Sequence, residues 1–80
     1  MSIKVIAAVY GTMTKGNDVT ATVQQMVAQG NDDIPINNDT LGPDPDHGVQ
    51  KQFGILYTLP NGKRLARAAV EGQTLDLVTQ

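Results

Sequence analysis

An apolar run near the start of the chain predicts its first strand. Between Ile3 and Thr12, apolar side chains fall on both faces of an extended chain, and Lys4 is the only charged residue. A strand of this kind belongs inside a sheet that is covered on both faces. Gly11 is expected to end the strand, and the following segment, Met13 to Asn17, is expected to form a loop.

Helical periodicity follows this loop. Four apolar residues recur at a spacing that places them on one stripe of a helix: Val19, Val23, Met26 and Val27. Asp18 or Thr20 is expected to cap the helix, and Gly30 suits the position after its last turn, where a left-handed backbone is common. A helix of about three turns is not stable alone in water, so its apolar stripe is expected to dock on the sheet.

The remaining sequence predicts four more strands, at Asp33 to Asn37, Gln50 to Leu59, Arg64 to Val70 and Thr74 to Val78. The first contains Pro35, which lacks a backbone donor and therefore suits a sheet edge. In the predicted strand Gln50 to Leu59, three apolar residues share one face: Phe53, Ile55 and Tyr57. The Asn-Gly pair in Pro60 to Lys63 predicts a tight hairpin turn. The segment Asn38 to Gly48, rich in Pro and Gly, is expected to lack regular structure.

The order β-α-β-β-β-β predicts an α+β fold, in which a mostly antiparallel sheet of about five strands packs against one helix. A small β-sandwich with the helix as a short crossover is the alternative. Eighty residues form one small domain, residues 1–80. Because the core contains only three aromatic residues, self-association that covers a sheet face or edge is expected.

Composition excludes several classes of protein. The chain has no Cys and one His, which argues against a disulfide scaffold and against structural zinc, so no cofactor is expected. Its net charge of −2 argues against electrostatic binding of nucleic acid. The apolar runs are too short to span a membrane, and a signal cleavage near Ala8 would remove the best strand. A cytoplasmic protein is therefore predicted.

Ordered motifs along nearly the whole chain resemble one known domain family. They are A-x-Y-G at Ala8 to Gly11, D-V-T at Asp18 to Thr20, D-P-x-x-G at Asp44 to Gly48, K-x-F-x-I-x-Y at Lys51 to Tyr57, and E-G followed by L-x-L at Glu71 to Leu77. The set is similar to the C-terminal domain of the mitochondrial DnaJ-type co-chaperone called subfamily C member eleven, of which stand-alone copies occur in bacteria and fungi.

This resemblance implies a domain of unknown function with no assigned catalytic residues. The chain lacks a J domain, so the resemblance transfers the type of domain and no activity. The pair Asp46-His47 after Pro45 departs from the family pattern, in which small residues are more usual at this point.

The first candidate site is the loop that follows the predicted strand Asp33 to Asn37, because its side chains are rich in oxygen atoms. They are Asn37, Asn38, Asp39, Asp44 and Asp46. Hard cations such as Ca²⁺ take their ligands from loops of this kind, but the spacing does not match an EF-hand. Asn and Asp also stabilise turns through backbone amides, and this role is favoured, so no metal is predicted.

Two further candidates involve His47 and the strand aromatics. His47 with Asp44 or Asp46 would form an acid–base pair, but no nucleophile motif accompanies it, so the chain is predicted not to be an enzyme. Tyr10 and Tyr57 beside Asn and Asp would suit a sugar site if exposed, although tyrosine is often half-buried. A third candidate is a basic patch on one hairpin, which would hold phosphate or guard a sheet edge: Lys63, Arg64 and Arg67.

The sequence thus favours a non-catalytic protein-interaction or self-assembly module, with a homo-oligomer or another protein as partner. Its predicted binding residues are Asn37, Asn38, Asp39, Asp44, Asp46, His47 and Tyr57. The alternative is a small carbohydrate-binding module, or lectin, that uses the same loop and the strand aromatics. A small enzyme or metal-dependent protein is the third hypothesis. Neither nucleic acid nor a membrane is an expected partner.

Overall fold

The computed structural model describes residues 3–79 and shows two antiparallel sheets with one main helix. The elements are β1 (Lys4–Gly11), β2 (Gly16–Asp18), α1 (Thr20–Ala28), β3 (Asp33–Pro35), α2 (Asn38–Leu41), β4 (Gln52–Thr58), β5 (Arg64–Val70) and β6 (Thr74–Asp76). The larger sheet has the strand order β2-β1-β4-β5, and β3 pairs with β6. The predicted α+β class, with a mostly antiparallel sheet, is confirmed.

The loop predicted over Met13 to Asn17 is shorter in the structure, because Gly16–Asp18 returns as β2 and pairs with the end of β1. Gly11 permits this tight return. A Cβ atom at Gly11 would collide with the Lys15 carbonyl oxygen, so the absence of a side chain lets the hairpin close.

The prediction that Asn38 to Gly48 lacks regular structure is wrong for its first four residues, because Asn38–Leu41 forms the single turn α2; residues 42–48 contain neither helix nor strand. The Asn37 side chain accepts a hydrogen bond of 2.8 Å from the Thr40 amide and caps this turn. The third difference is the division of the strands, since β3 and β6 leave the main sheet and pair Ile34 with Leu75. Both of these side chains are buried in the core.

A β-bulge in β1 decides which of its side chains enter the core. The register with β4 shifts between Val5 and Ala7, which makes Ile6 the extra residue. Three side chains of β1 are therefore buried: Val5, Ala8 and Tyr10. Ala7 and Val9 point to the opposite face of the sheet, which solvent reaches.

One core forms between the inner face of the four-stranded sheet, helix α1 and the small β3–β6 sheet. Helix α1 contributes Val23 and Val27, and Gly30 follows its end with a φ of 92°, as predicted. The predicted caps do not occupy the cap position, which is that of Val19; Asp18 instead accepts a hydrogen bond from the Thr20 amide. Within residues 3–79 we find no helix with the length and apolar character needed to cross a bilayer.

Helix α1 lies along β1, and two of its polar side chains take the place of a neighbouring strand. The Gln24 side chain accepts a bond of 2.7 Å from the Val5 amide and donates one of 3.1 Å to the Ile3 carbonyl. The Thr20 hydroxyl accepts a bond of 2.9 Å from the Ala8 amide. Because residues i and i+4 share a helix face, one face of α1 closes the edge of β1 that β2 is too short to cover.

Candidate functional site

Within the described part of the chain, Lys51 is the one charged side chain that is buried, with 3% of its surface exposed. Its Nζ lies 2.8 Å from a carboxylate oxygen of Asp44 and 3.5 Å from one of Glu71. It also donates to the backbone carbonyls of Asp46 and Val49, at 3.1 and 2.7 Å. The ammonium group therefore holds the segment between α2 and β4 against the core, with every partner supplied by the chain.

Mutual stabilisation shifts the titration of this pair. The hydrogen bond to Lys51 lowers the pKa of the Asp44 carboxyl, and the hydrogen bond to Asp44 raises the pKa of Lys51. Lys51 is not among the binding residues that the sequence predicts. A signal was present, because Lys51 precedes Phe53 and Tyr57 at the period of two that marks a buried strand face.

Three of the residues predicted to bind a ligand are engaged within the chain. Asn37 caps α2, Asn38 accepts a hydrogen bond of 2.7 Å from the Tyr10 hydroxyl, and Asp46 accepts one of 2.8 Å from the Thr12 hydroxyl. The bonds of Asn38 and Asp46 tie the loop to the end of β1. The oxygen atoms that suggested a cation site serve here to hold the loop in place.

Two other predicted site residues lie in solvent. Asp39 is exposed in the first turn of α2, where a carboxylate is favourable next to the helix amides. The His47 side chain is fully exposed, with its Nδ1 3.5 Å from a carboxylate oxygen of Asp44. This contact joins a hydrated imidazole to a carboxylate that Lys51 already holds.

Both tyrosine rings are buried, with 0% of their surface exposed. Tyr57 donates a hydrogen bond of 3.0 Å from its hydroxyl to the Val78 carbonyl. Burial is also the main cause of the raised pKa of Tyr10. Neither ring offers a face on which a sugar would stack.

The predicted basic patch is divided between two faces of β5. Arg64 points to the solvent-facing side with Ala66, while Arg67 points to the inner side and donates a bond of 3.2 Å to the Asp76 carbonyl. Alternation along a strand separates residues at odd spacing, so Arg64 and Arg67 do not form one surface.

An acidic cluster that the sequence does not predict lies on the small sheet. Asp32, Asp33 and Asp76 have carboxylate oxygens within 4.8 Å of one another. Asp33 faces Asp76 across the β3–β6 pair, and repulsion from Asp76 raises the pKa of Asp33. Only the strand register brings these distant positions together. The cluster concentrates negative charge at one exposed edge.

An uncovered apolar surface lies on the face of the main sheet opposite the core, which we call the outer sheet face. It consists of Ala7, Val9, Gly54, Leu56, Ala66 and Ala68, with Ile6 at the bulge beside them. Val9 has 55% of its surface exposed and Ile6 has 39%. Helix α1 and the β3–β6 sheet both pack on the other side, so the outer sheet face has no cover from the described residues.

Small residues form a hollow at one end of this face. A shallow groove of 540 Å³ runs over Gly11, Gly54 and Ala68, between Val9 and the fully exposed Met13. Its lining is mainly apolar. Met13 beside an apolar groove is typical of surfaces that bind other apolar groups.

No protein-family model matches the chain, and searches among curated proteins and among solved structures found no protein that matches it. The resemblance to the co-chaperone domain thus stays a prediction.

Proposed function

We propose that this chain is a non-catalytic protein-interaction or self-assembly module that binds through the outer sheet face. One observation carries the proposal: a four-stranded sheet has its whole described core on one side and an exposed apolar surface on the other. Contiguous apolar patches on small proteins mark places where partners bind, because covering them removes apolar area from water.

The pattern of β1 supports the same conclusion. Its sequence is apolar on both faces, which is the pattern of a strand with cover on each side. In the folded chain only the face with Val5, Ala8 and Tyr10 is covered. A partner on the outer sheet face would cover the side chains of Ala7 and Val9 and supply a second layer on the sheet.

The contacts within the polar loop favour a structural role for its residues over catalysis or sugar binding. Asp44 is held by Lys51, Asp46 by Thr12, and the His47 side chain is surrounded by solvent. With the tyrosine rings buried, we expect no signal on a glycan array. A cytoplasmic location and the DnaJ-type resemblance are consistent with this proposal and stay predictions.

Light scattering on the full chain, from about 10 µM to about 1 mM, tests the proposal. We expect the mass to rise from 8.5 kDa toward that of a defined oligomer as the concentration increases. A mass that stays at that of the monomer up to the highest concentration would contradict self-assembly.

A further inference from the structure

We infer that the free edge of β5 binds an extended acidic segment of another protein, which adds to the main sheet as a further antiparallel strand. The segment has two carboxylates three residues apart, one facing Arg64 and one facing Arg67. Proteins that bind peptides in this way use backbone hydrogen bonds for affinity and alternate side chains for specificity. Binding at this edge goes beyond the proposed function, because it needs no contact with the outer sheet face.

The alternation of backbone groups leaves one side of β5 open. The Glu71 amide bonds to the Lys51 carbonyl in the β4–β5 register, so the odd-numbered residues of β5 direct their backbone groups toward β4. The even-numbered residues direct theirs away from the sheet. Since β5 is the last strand of its sheet, the outward groups of Ala66 and Ala68 meet no further strand within residues 3–79.

Gln73 closes the outward side of β5 at its last residue. The Val70 amide donates a hydrogen bond of 3.0 Å to the side-chain oxygen of Gln73, and the Gln73 amide donates one of 3.1 Å to the Val70 carbonyl. The free stretch is therefore Arg64 to Ala68. Ala66 and Ala68 are exposed in it, and their side chains are too small to obstruct a neighbouring strand.

Cations along this stretch favour an acidic partner. Arg64 is exposed on the outer side of β5, Lys63 is exposed in the turn before it, and Arg67 lies on the inner side. Arg67 donates one hydrogen bond to the Asp76 carbonyl, and its guanidinium group has other N–H donors. Because the arginines are three residues apart on opposite faces of a strand, carboxylates three residues apart in the added strand would meet both of them.

The chain's own carboxylates make the two contacts unequal. Asp76 lies near Arg67 on the inner side and belongs to the acidic cluster of the small sheet, which opposes a further carboxylate there. Glu71, which follows β5, is already paired within the chain, and Asp18 lies in β2 at the far edge of the sheet. The contact at Arg64 is therefore expected to contribute more to binding than the contact at Arg67.

The sequence argues against a second copy of this chain as the partner at this edge. Its eight acidic residues include no two that are three positions apart, so no segment of the chain supplies both carboxylates. Pairing β5 with β5 of a second copy would also bring Lys63, Arg64 and Arg67 of both chains to one seam, which is unfavourable. The partner at this edge is therefore a different protein.

A synthetic peptide tests the backbone pairing. The probe is the end-blocked, fluorescent peptide Thr-Val-Glu-Thr-Val-Glu-Thr, whose central Thr faces Ala66 when its two Glu residues face Arg67 and Arg64. Methylating the backbone nitrogen of the central Thr should raise the dissociation constant at least about fivefold, because it removes a hydrogen bond to Ala66. The same methyl group on the first Glu points away from β5 and should change the dissociation constant by less than about twofold.

An isomer of the peptide tests the spacing of the carboxylates. Thr-Val-Glu-Thr-Glu-Val-Thr has the same composition and charge, but its two Glu residues lie on one face of the added strand. It therefore meets one arginine and not both, and we expect it to bind at least about twofold more weakly. Equal binding of the two peptides would overturn the assigned spacing.

Charge reversal in the chain tests the arginines. Arg64→Glu should raise the dissociation constant of the first peptide at least about threefold, and Arg67→Glu should raise it by a smaller factor. Both effects should shrink in added salt. Lys15→Glu makes the same change of charge in the exposed turn between β1 and β2 and should leave the constant within about twofold. Circular dichroism and thermal melting would show that all three variants are folded.

Amide signals of the labelled chain locate the bound peptide. We expect the NMR signals of Ala66 and Ala68 to shift as the peptide is added, and that of Val9 on the outer sheet face to stay constant. Shifts confined to the outer sheet face, or equal effects of the two backbone methyl groups, would overturn binding at the edge. Failure of the first peptide to bind the wild-type chain up to about 1 mM would overturn it whatever the oligomeric state.

Discussion

A single buried ammonium group organises the longest connection in the described chain. Lys51 binds the carboxylates of Asp44 and Glu71 and two backbone carbonyls, and it is 3% exposed. Burying a charge is unfavourable unless such partners surround it, and removing one member leaves the others unsatisfied. The loop geometry therefore depends on Lys51 as well as on the Asn and Asp side chains that bind within the chain.

Replacing Lys51 with Gln should lower the free energy of unfolding, because Asp44 and Glu71 lose their common cation. Lys15→Gln is the matched control, since Lys15 is exposed in the turn between β1 and β2. Urea unfolding of both variants measures the difference. Equal midpoints for the two variants would show that the buried ion pair does not hold the fold.

The ionisation of Asp44 and Lys51 should make the free energy of unfolding depend on pH. The pKa of Asp44 is lowered in the folded chain, so its contribution is fully present above its ordinary pKa of about 3.9 and is lost as the pH falls through the folded value. The pKa of Lys51 is raised, so its contribution is fully present below about 10.4 and is lost as the pH rises through the folded value.

Lys51→Gln should therefore flatten both the acid and the alkaline decline in stability. Part of the alkaline decline will persist, because burial also raises the pKa of Tyr10. Profiles of wild type and Lys51→Gln that run parallel from acid to alkaline pH would contradict this assignment.

At the scale of residues, period-two alternation predicted the inward face of β4 correctly, with Phe53, Ile55 and Tyr57 all buried. The same alternation places Lys51 on the inward face, but it does not predict which carboxylates bind a buried lysine there. Glu71 lies twenty residues further along the chain, and only the β4–β5 register brings it to Lys51. Sequence reasoning finds such a site only after the strand pairing is known.

At the scale of elements, α1 both covers the core and closes a strand edge. Val23 and Val27 pack inward, while the polar side chains of Thr20 and Gln24 bond to the backbone of β1. Open edges of sheets are sites of unwanted pairing between chains. The helix removes part of this edge without supplying a strand.

Gln24→Ala should expose this edge, because it removes the acceptor for the Val5 amide and the donor to the Ile3 carbonyl. We expect the Val5 amide to exchange with solvent at least about fivefold faster, since a lost hydrogen bond changes local stability by about 1 kcal/mol or more. Hydrogen exchange followed by NMR measures this rate.

Gln25→Ala is the control for this experiment, because Gln25 is the exposed neighbour on the same helix. It should leave exchange at Val5 unchanged. Equal acceleration in both variants would mean that the change reflects helix stability and not the bond to β1.

The sequence predicted the long elements and the short strands β3 and β6, and it missed β2 and α2. Helix α1 and the strands β1, β4 and β5 lie where their apolar patterns place them. β2 and α2 have three and four residues, too few for a periodic pattern, and depend on contacts made elsewhere: β2 on the missing side chain of Gly11, and α2 on the Asn37 cap. A single close contact at Gly11 and a single cap at Asn37 produce no repeating pattern along the sequence, so hydrophobic periodicity does not predict them.

At the scale of the whole molecule, the fold is one-sided. A single layer of helix and small sheet covers the inner face, and the outer face has Val9, Leu56, Ala66 and Ala68. Small domains have little core with which to offset the conformational entropy of the chain. A second copy on the outer face would complete a two-layered core of the kind that stable sheets form.

The binding surface is the point on which sequence and geometry differ most. The sequence favoured the polar loop, because Asn and Asp are common in binding loops. The folded chain uses Asn38, Asp44 and Asp46 to hold that loop, and leaves an apolar sheet face open. The bulge at Ile6 decides which face of β1 is open, and a bulge is not visible in the apolar pattern.

The most direct test of the outer sheet face as the interaction surface is the dilution of the labelled chain, followed through its NMR chemical shifts. The account predicts concentration-dependent shifts at Ala7, Val9, Leu56 and Ala66, and constant shifts at Val23 in the core of α1. Shifts that do not change with concentration, or changes confined to residues 37–48, would contradict it.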